Sequence, residues 1–188
     1  MQERGGWNSI YLENHDVARS VSRFGNDSSP HTRTLSAKLL AAMQCTLSGT
    51  LYIYQGEEIA MANLPRDWRI EEYKDIASQA YFNEELALRK VDQNTSQPDM
   101  SDIMDGLQRK ARDHARNPMQ WSAEQHAGFS DSGKTWMRVH DDFREWNVRR
   151  QQADENSVLA FWKKMVAFRK KHLACVSLPS SFERFAND

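Results

Sequence analysis

The first apolar run, Ser9-Ile10-Tyr11-Leu12, breaks abruptly into Glu13-Asn14-His15-Asp16. A short continuous apolar run bounded by polar residues predicts a buried strand. Over residues 19–30, Gly25, Asn26, Asp27, Ser28 and Ser29 cluster ahead of Pro30, which predicts a loop. From there Leu35, Leu39, Leu40, Met43 and Leu47 recur at helical spacing and predict an amphipathic helix around 31–47 that buries them. Ser48-Gly49 ends it. Thr50-Leu51-Tyr52-Ile53-Tyr54 is β-branched and aromatic and predicts a second strand, which stops at Gln55-Gly56-Glu57-Glu58. Strand 9–13, helix, strand 50–54 with short connections is the pattern of a parallel βαβ unit. In parallel α/β folds chemistry collects at the carboxyl ends of strands, so Asp16 and residues 55–58 are expected at one end of the pair.

The remainder reads differently. Residues 64–110 are polar and helix-compatible, with helices expected over 71–90 and 100–112 and a linker over 92–99, where Asn94, Thr95, Ser96 and Pro98 fall. Residues 112–121 are irregular and dense in polar groups, and 122–155 read as loop. A last helix is expected over 156–172, with Val158, Leu159, Trp162, Val166 and Phe168 on its apolar side and Lys170-Lys171-His172 at its C-terminal dipole end. Two parallel strands cannot close a barrel and rarely form a stable core alone. The chain is therefore part of something larger, or its core is mainly helical.

Composition narrows the function. With 25 Lys and Arg against 26 Asp and Glu, the net charge of −1 gives no basic excess for phosphate neutralisation and argues against nucleic-acid binding by bulk charge. A mean hydropathy of −0.78 is low for a self-sufficient globule, while six Trp, eight Phe and five Tyr are too many for a disordered chain. No apolar run approaches a membrane span, and no export signal opens the chain. Cys45 and Cys175, far apart, read as buried thiols in a reducing compartment, so a cytoplasmic location is expected.

The sharpest candidate chemistry is Asn14-His15-Asp16 at a strand exit. There an imidazole and a carboxylate can hold a polar ligand and the carboxylate can stabilise developing positive charge; the competing reading is a capping Asp with a bonded His. Arg112-Asp113-His114 with Arg116 reads as an anion or carboxylate clamp, or as an internal salt-bridge knot. Glu57 and Glu58 are neighbours on an extended segment, so at most one of them faces a given site. No HExxH, CxxC pair, GxSxG, Walker loop or GxGxxG occurs, and His114 lacks a second His at ligand spacing, which argues against zinc. The Trp residues at 7, 68, 121, 136, 146 and 162 can stack on sugar rings or pack in cores.

These blocks together resemble glycoside hydrolase family 13. Leu12-Glu13-Asn14-His15-Asp16, with Arg19-Ser20 and Arg23-Phe24, is similar to that family's seventh-strand block. Residues 49–59, Gly49-Thr50-Leu51 through Gln55-Gly56-Glu57-Glu58-Ile59, are similar to its eighth-strand block. Residues 112–121 resemble the arginine-containing loop of its α-glucosidase branch. Ala127-Gly128-Phe129-Ser130 and residues 157–164 match the fungal maltase and isomaltase type. The blocks occur in family order and cover about residues 5–176.

The resemblance implies an α/β fold: a helix-rich C-terminal fragment of a (β/α)₈ TIM barrel, strands seven and eight with their helices, over residues 1–176. On this reading residues 177–188 are expected to be a non-matching tail, with no C-terminal β-sandwich. It also implies a retaining α-glucosidase that removes terminal glucose from maltose, isomaltose or sucrose-like oligosaccharides, with an Asp nucleophile, a Glu acid/base and a supporting Asp. The supporting role falls on Asp16. His15 and Arg112 would bind the sugar, and Glu58 would be structural. The nucleophile and acid/base have no matching position, so the chain alone is expected to be inactive without the missing part of the barrel. No metal, organic cofactor, nucleic acid or membrane partner is implied. A non-catalytic truncated relative with a carbohydrate- or protein-binding role, as in transporter-associated heavy chains, remains the alternative, with a helical protein–protein module more remote.

Overall fold

The computed structural model describes residues 7–172. In chain order the elements are β1 (Ser9–Ile10), α1 (Ser20–Phe24), α2 (Pro30–Thr46), β2 (Thr50–Leu51), α3 (Ile76–Asp92), α4 (Ser101–Lys110), α5 (Asp113–Arg116), α6 (Val148–Gln152) and α7 (Val158–Lys171). The two strands pair in parallel, Ser9 opposite Thr50 and Ile10 opposite Leu51, around the α2 crossover. Thr50 N–H donates to Asn8 O and Tyr52 N–H to Ile10 O. The expected βαβ unit is present, but its strands are shorter than 9–13 and 50–54. Pairing stops after Leu51 because the chain beyond Ile10 turns inward at Glu13, whose carboxylate is buried and fully engaged.

The same carboxylate explains why residues 19–30 are not all loop. Glu13 Oε1 accepts from the Ser20 backbone N–H and hydroxyl, both at 2.7 Å. That satisfies a donor left open at a helix start and allows the five-residue α1 to form. At α2, Ser29 and Thr32 form a reciprocal capping box and Pro30 occupies the first turn.

The buried face of α2 differs from the expected one. Leu35, Leu39, Met43 and Leu47 are exposed, and only Leu40 of the predicted set is buried. Arg33, Ala37, Ala41, Gln44 and Cys45 face inward instead, with Ala37, Ala41 and Cys45 in one cluster with Val158 and Trp162 of α7. Small residues at a helix contact let the axes approach closely and leave room for an indole, so the α2–α7 contact selects the alanine stripe over the leucine stripe. Among the described residues nothing covers the leucine ridge.

A similar exchange occurs in α7, where Phe168 is exposed and Arg169 is buried. Arg169 Nη1 donates to Cys45 O at 2.9 Å and Leu47 O at 2.6 Å, and its Nη2 donates to Gly49 O. One guanidinium thus serves carbonyls at and just beyond the C-terminus of α2, which no backbone N–H of that helix can reach.

Two further departures follow from local capping. The helix expected over 71–90 begins only at Ile76, because Asp75 accepts from Ser78 N–H as its N-cap; a 3₁₀ turn, Ile70–Glu72, precedes it. The stretch 122–155 contains the 3₁₀ turn Gln125–Gly128 and α6, capped by Asn147. The larger core lies between α2 and α7. A second cluster, Leu64, Trp68, Tyr73, Ile103, Leu107, Ala111 and Met137, anchors the segment between β2 and α6. Cys45 is buried as expected, whereas Cys175 and residues 177–188 lie outside the described residues.

Candidate active site

The site is assembled around Arg19, which is fully buried. Its Nη1 reaches Glu13 Oε2 at 2.9 Å and Gln55 O at 2.7 Å, and its Nε donates to His114 O at 2.9 Å. The exit of β1, the exit of β2 and the start of α5 are therefore held at one point. This places Asp16 and residues 55–58 at the same end of the strand pair, as expected. A buried Arg–Glu pair is weak evidence for net stability, because desolvation offsets most of the Coulomb attraction. Its effect here is positional.

Above that anchor lies a cluster of two carboxylates and two guanidiniums. Asp16 Oδ1 contacts Arg116 Nη2 at 3.1 Å and Arg112 Nε at 3.5 Å, and its Oδ2 lies 3.2 Å from His15 Nε2. Asn14 Oδ1 accepts from the Asp16 N–H at 2.8 Å, which fixes the turn. Arg116 also donates from Nε to His15 O at 2.8 Å and from Nη1 to Asp75 Oδ1 at 2.9 Å. Asp16, His15 and Arg112 are all partly open to solvent, while Asp75 beneath them is buried. The cluster is a preorganised polar mouth: a polar ligand entering it meets donors on the arginines and acceptors on Asp16.

The clamp reading of residues 112–116 divides in two. Arg112 and Arg116 face Asp16, whereas Asp113 and His114 are structural. Asp113 is buried and accepts the backbone N–H groups of Lys74 and Asp75. His114 accepts from Leu64 N–H at Nδ1 and faces Leu107 O from Nε2, so it is neutral and carries its proton on Nε2. Burial pushes its pKa down to about 4, with Arg19 and His140 adding to the effect. Of the two glutamates, Glu57 points inward to Gln44 Nε2 at 2.5 Å, and Glu58 accepts from Gly56 N–H within its own turn. Neither reaches the mouth.

Asp75 is the residue that the sequence reading missed. Its signal was an N-cap: an Asp three residues before Ser78, ahead of a helical stretch. A single helix over 71–90 would place Asp75 inside it instead of at its N-cap. Among the described residues no group of three or more His, Cys, Asp or Glu is arranged to hold a metal ion. No described helix is long and apolar enough to cross a membrane.

Comparison with known proteins bears on the family and the fold. The alpha-amylase catalytic domain matches residues 1–177. An α-glucosidase of Candida albicans is 47% identical over 166 residues, 88% of this chain and 29% of that protein. A probable oligo-1,6-glucosidase of Bacillus subtilis is 44% identical over 170 residues, 90% of this chain and 28% of that one. The crystal structure of a Bacillus licheniformis trehalose-6-phosphate hydrolase superposes with a TM-score of 0.80 at 36% identity, covering 93% of this chain and 29% of that one. A trehalulose synthase gives a TM-score of 0.82 at 33% identity, covering 92% and 29%. The chain thus spans under a third of the length of these relatives, and its fold is a helix-rich piece of their (β/α)₈ barrel. The chain belongs to the alpha-amylase catalytic-domain family, glycoside hydrolase family 13.

Proposed function

We propose that these residues serve a retaining α-glucosidase that removes terminal α-linked glucose from maltose, isomaltose or sucrose-like oligosaccharides. The observation that carries the reading is Asp16, held at the mouth between His15, Arg112 and Arg116. In this role Asp16 stabilises the oxocarbenium-like charge of the transition state without bonding to the sugar. Arg112 and His15 hold the hydroxyls of the glucose unit. Arg112 makes the longer contact of the two arginines and is the one free to exchange Asp16 for substrate.

The nucleophile and acid/base have no matching position in this chain and come from the rest of the barrel. A retaining pair needs carboxyl groups about 5–5.5 Å apart, one of them protonated at working pH. Asp75 cannot be the second member. It is buried, its Oδ1 is engaged by Arg116 and its Oδ2 caps α3, so neither oxygen is open to a glycosidic oxygen. The 188-residue chain alone should therefore give no turnover of an aryl α-glucoside.

The test is a transplant. This chain replaces the matching 166-residue stretch of the Candida albicans α-glucosidase, and maltose, isomaltose and sucrose are assayed. Hydrolysis, with kcat falling at least about 100-fold in Asp16→Asn while the fold persists, is the expected outcome. Activity that survives Asp16→Asn would refute the assignment.

A further inference from the structure

Three of the six tryptophans, Trp68, Trp146 and Trp162, are buried and pack in the cores. Trp7, Trp121 and Trp136 are exposed, and only Trp136 combines a fixed ring with a position beside the charged mouth. Its Nε1 donates to Arg116 O at 2.9 Å, the backbone of the same arginine whose side chain grips Asp16 and Asp75. Phe129 meets its ring edge-to-face, centroids 5.0 Å apart. On either side the backbone is anchored: Thr135 Oγ1 donates to Met137 O, and Met137 is buried in the second core. Trp7 is pinned as well, through Thr50 Oγ1, but it lies at the opposite, amino end of the strand pair.

The only polar atom of the Trp136 side chain is thus already used by the protein, yet 53% of the residue faces solvent. What it presents is ring carbon, in a defined orientation. It borders a hollow of about 510 Å³ that also includes Glu72, Lys74, His126 and Arg138. The link from this hollow to the charged mouth is the Trp136 Nε1–H bond to Arg116 O, which ties the ring to the segment whose side chain holds Asp16. An apolar ring with polar groups around it matches a pyranose, which offers a face of C–H groups and a rim of hydroxyls.

We infer that Trp136 is a stacking platform for a second sugar ring, an outer subsite for an oligosaccharide whose terminal glucose occupies the mouth at Asp16. The ligand class rests on the glucosidase reading. The subsite itself is a binding claim and can be tested without turnover.

The ¹⁵N-labelled 188-residue chain is titrated with maltotriose, following the Trp136 Nε1–H resonance assigned by its loss in Trp136→Phe. The platform requires a saturable shift of that resonance while Trp7 stays in place. Affinity should fall about tenfold in Trp136→Ala, a loss of the size expected for one stacked ring, and be largely restored in Trp136→Phe. In the transplanted enzyme, Trp136→Ala should lower kcat/KM for maltotriose several-fold more than for an aryl α-glucoside. A silent Trp136 resonance, or equal losses on both substrates without rescue by phenylalanine, overturns the platform. If the transplant fails to hydrolyse anything while the resonance still shifts, the glucosidase reading fails and the platform stands. An active transplant with a silent Trp136 has the reverse meaning.

Discussion

Glu57 offers a stability test that is independent of catalysis. Its residue is 4% exposed, and burial, reinforced by the nearby Glu13 carboxylate, pushes its pKa from 4.5 up to about 7. Donors from Gln44 and Tyr54 and the field of Arg19 oppose this and do not overcome it. A carboxyl group with a raised folded pKa contributes fully below its unfolded pKa, and that contribution is lost as the pH rises through its folded pKa. From 4.5 to about 7 the loss amounts to about 3 kcal/mol, a large fraction of the stability of a small domain. Glu57→Gln retains the shape and the acceptor for Gln44 but cannot ionise. Its amide NH2 gives up the acceptor for Tyr54 N–H at every pH, a constant offset, so the stability of the variant relative to the parent should rise by about 3 kcal/mol between pH 4.5 and pH 8. Urea unfolding followed by fluorescence reads this directly, since Trp146 and Trp162 lie in the core beside α2. A difference that does not change with pH, or one that moves against the variant as the pH rises, would show that Gln44, Tyr54 and Arg19 keep Glu57 ionised and would refute the reasoning.

Other changes have equally definite outcomes. Arg169→Ala removes the donor shared by Cys45, Leu47 and Gly49 carbonyls and should cost about 2–3 kcal/mol in the same urea assay. Leu39→Lys lies on the uncovered ridge, so it should reduce ANS fluorescence of the isolated chain while changing its stability by no more than about 0.5 kcal/mol. Asp142 is pushed up by burial but held well below the carboxylate range by His140 and Arg33, so its contribution is present at neutral pH and lost as the pH falls below about 4. Asp142→Asn should therefore destabilise the chain at pH 7 and progressively less in acid, as thermal melts across pH would show.

How much of this was legible in the residues depended on whether the determinant was local. Ser29 and Pro30 announce α2, and Leu12-Glu13-Asn14-His15-Asp16 announces a strand exit with chemistry on it; both signals lie within a few positions. The mouth at Asp16, His15 and Arg112 was readable because the motifs carry it residue by residue. The buried face of α2 was not, because Ala37, Ala41 and Cys45 are chosen by Trp162, more than a hundred residues away. The burial of Arg169 and of Arg19, the latter quoted within the seventh-strand block, was not legible for a related reason. Each looks like an ordinary surface cation until the carbonyls that it serves are brought to it by the fold. Asp75 fell between these cases: its capping role is local, and its pairing with Arg116 is not.

The span of the Arg19 contacts also sets an order of events. Glu13 is six residues away and can meet the guanidinium as soon as the first strand exit has formed. Gln55 O is 36 residues away and His114 O is 95. On a ribosome adding about 5–20 residues per second, the last of these acceptors arrives some 5–20 s after Arg19 itself. During that interval a charge destined for complete burial has only part of its shell, and the β1 exit that carries Asp16 stays hydrated. The mouth therefore cannot set before the arginine loop arrives, however early the first strand exit forms.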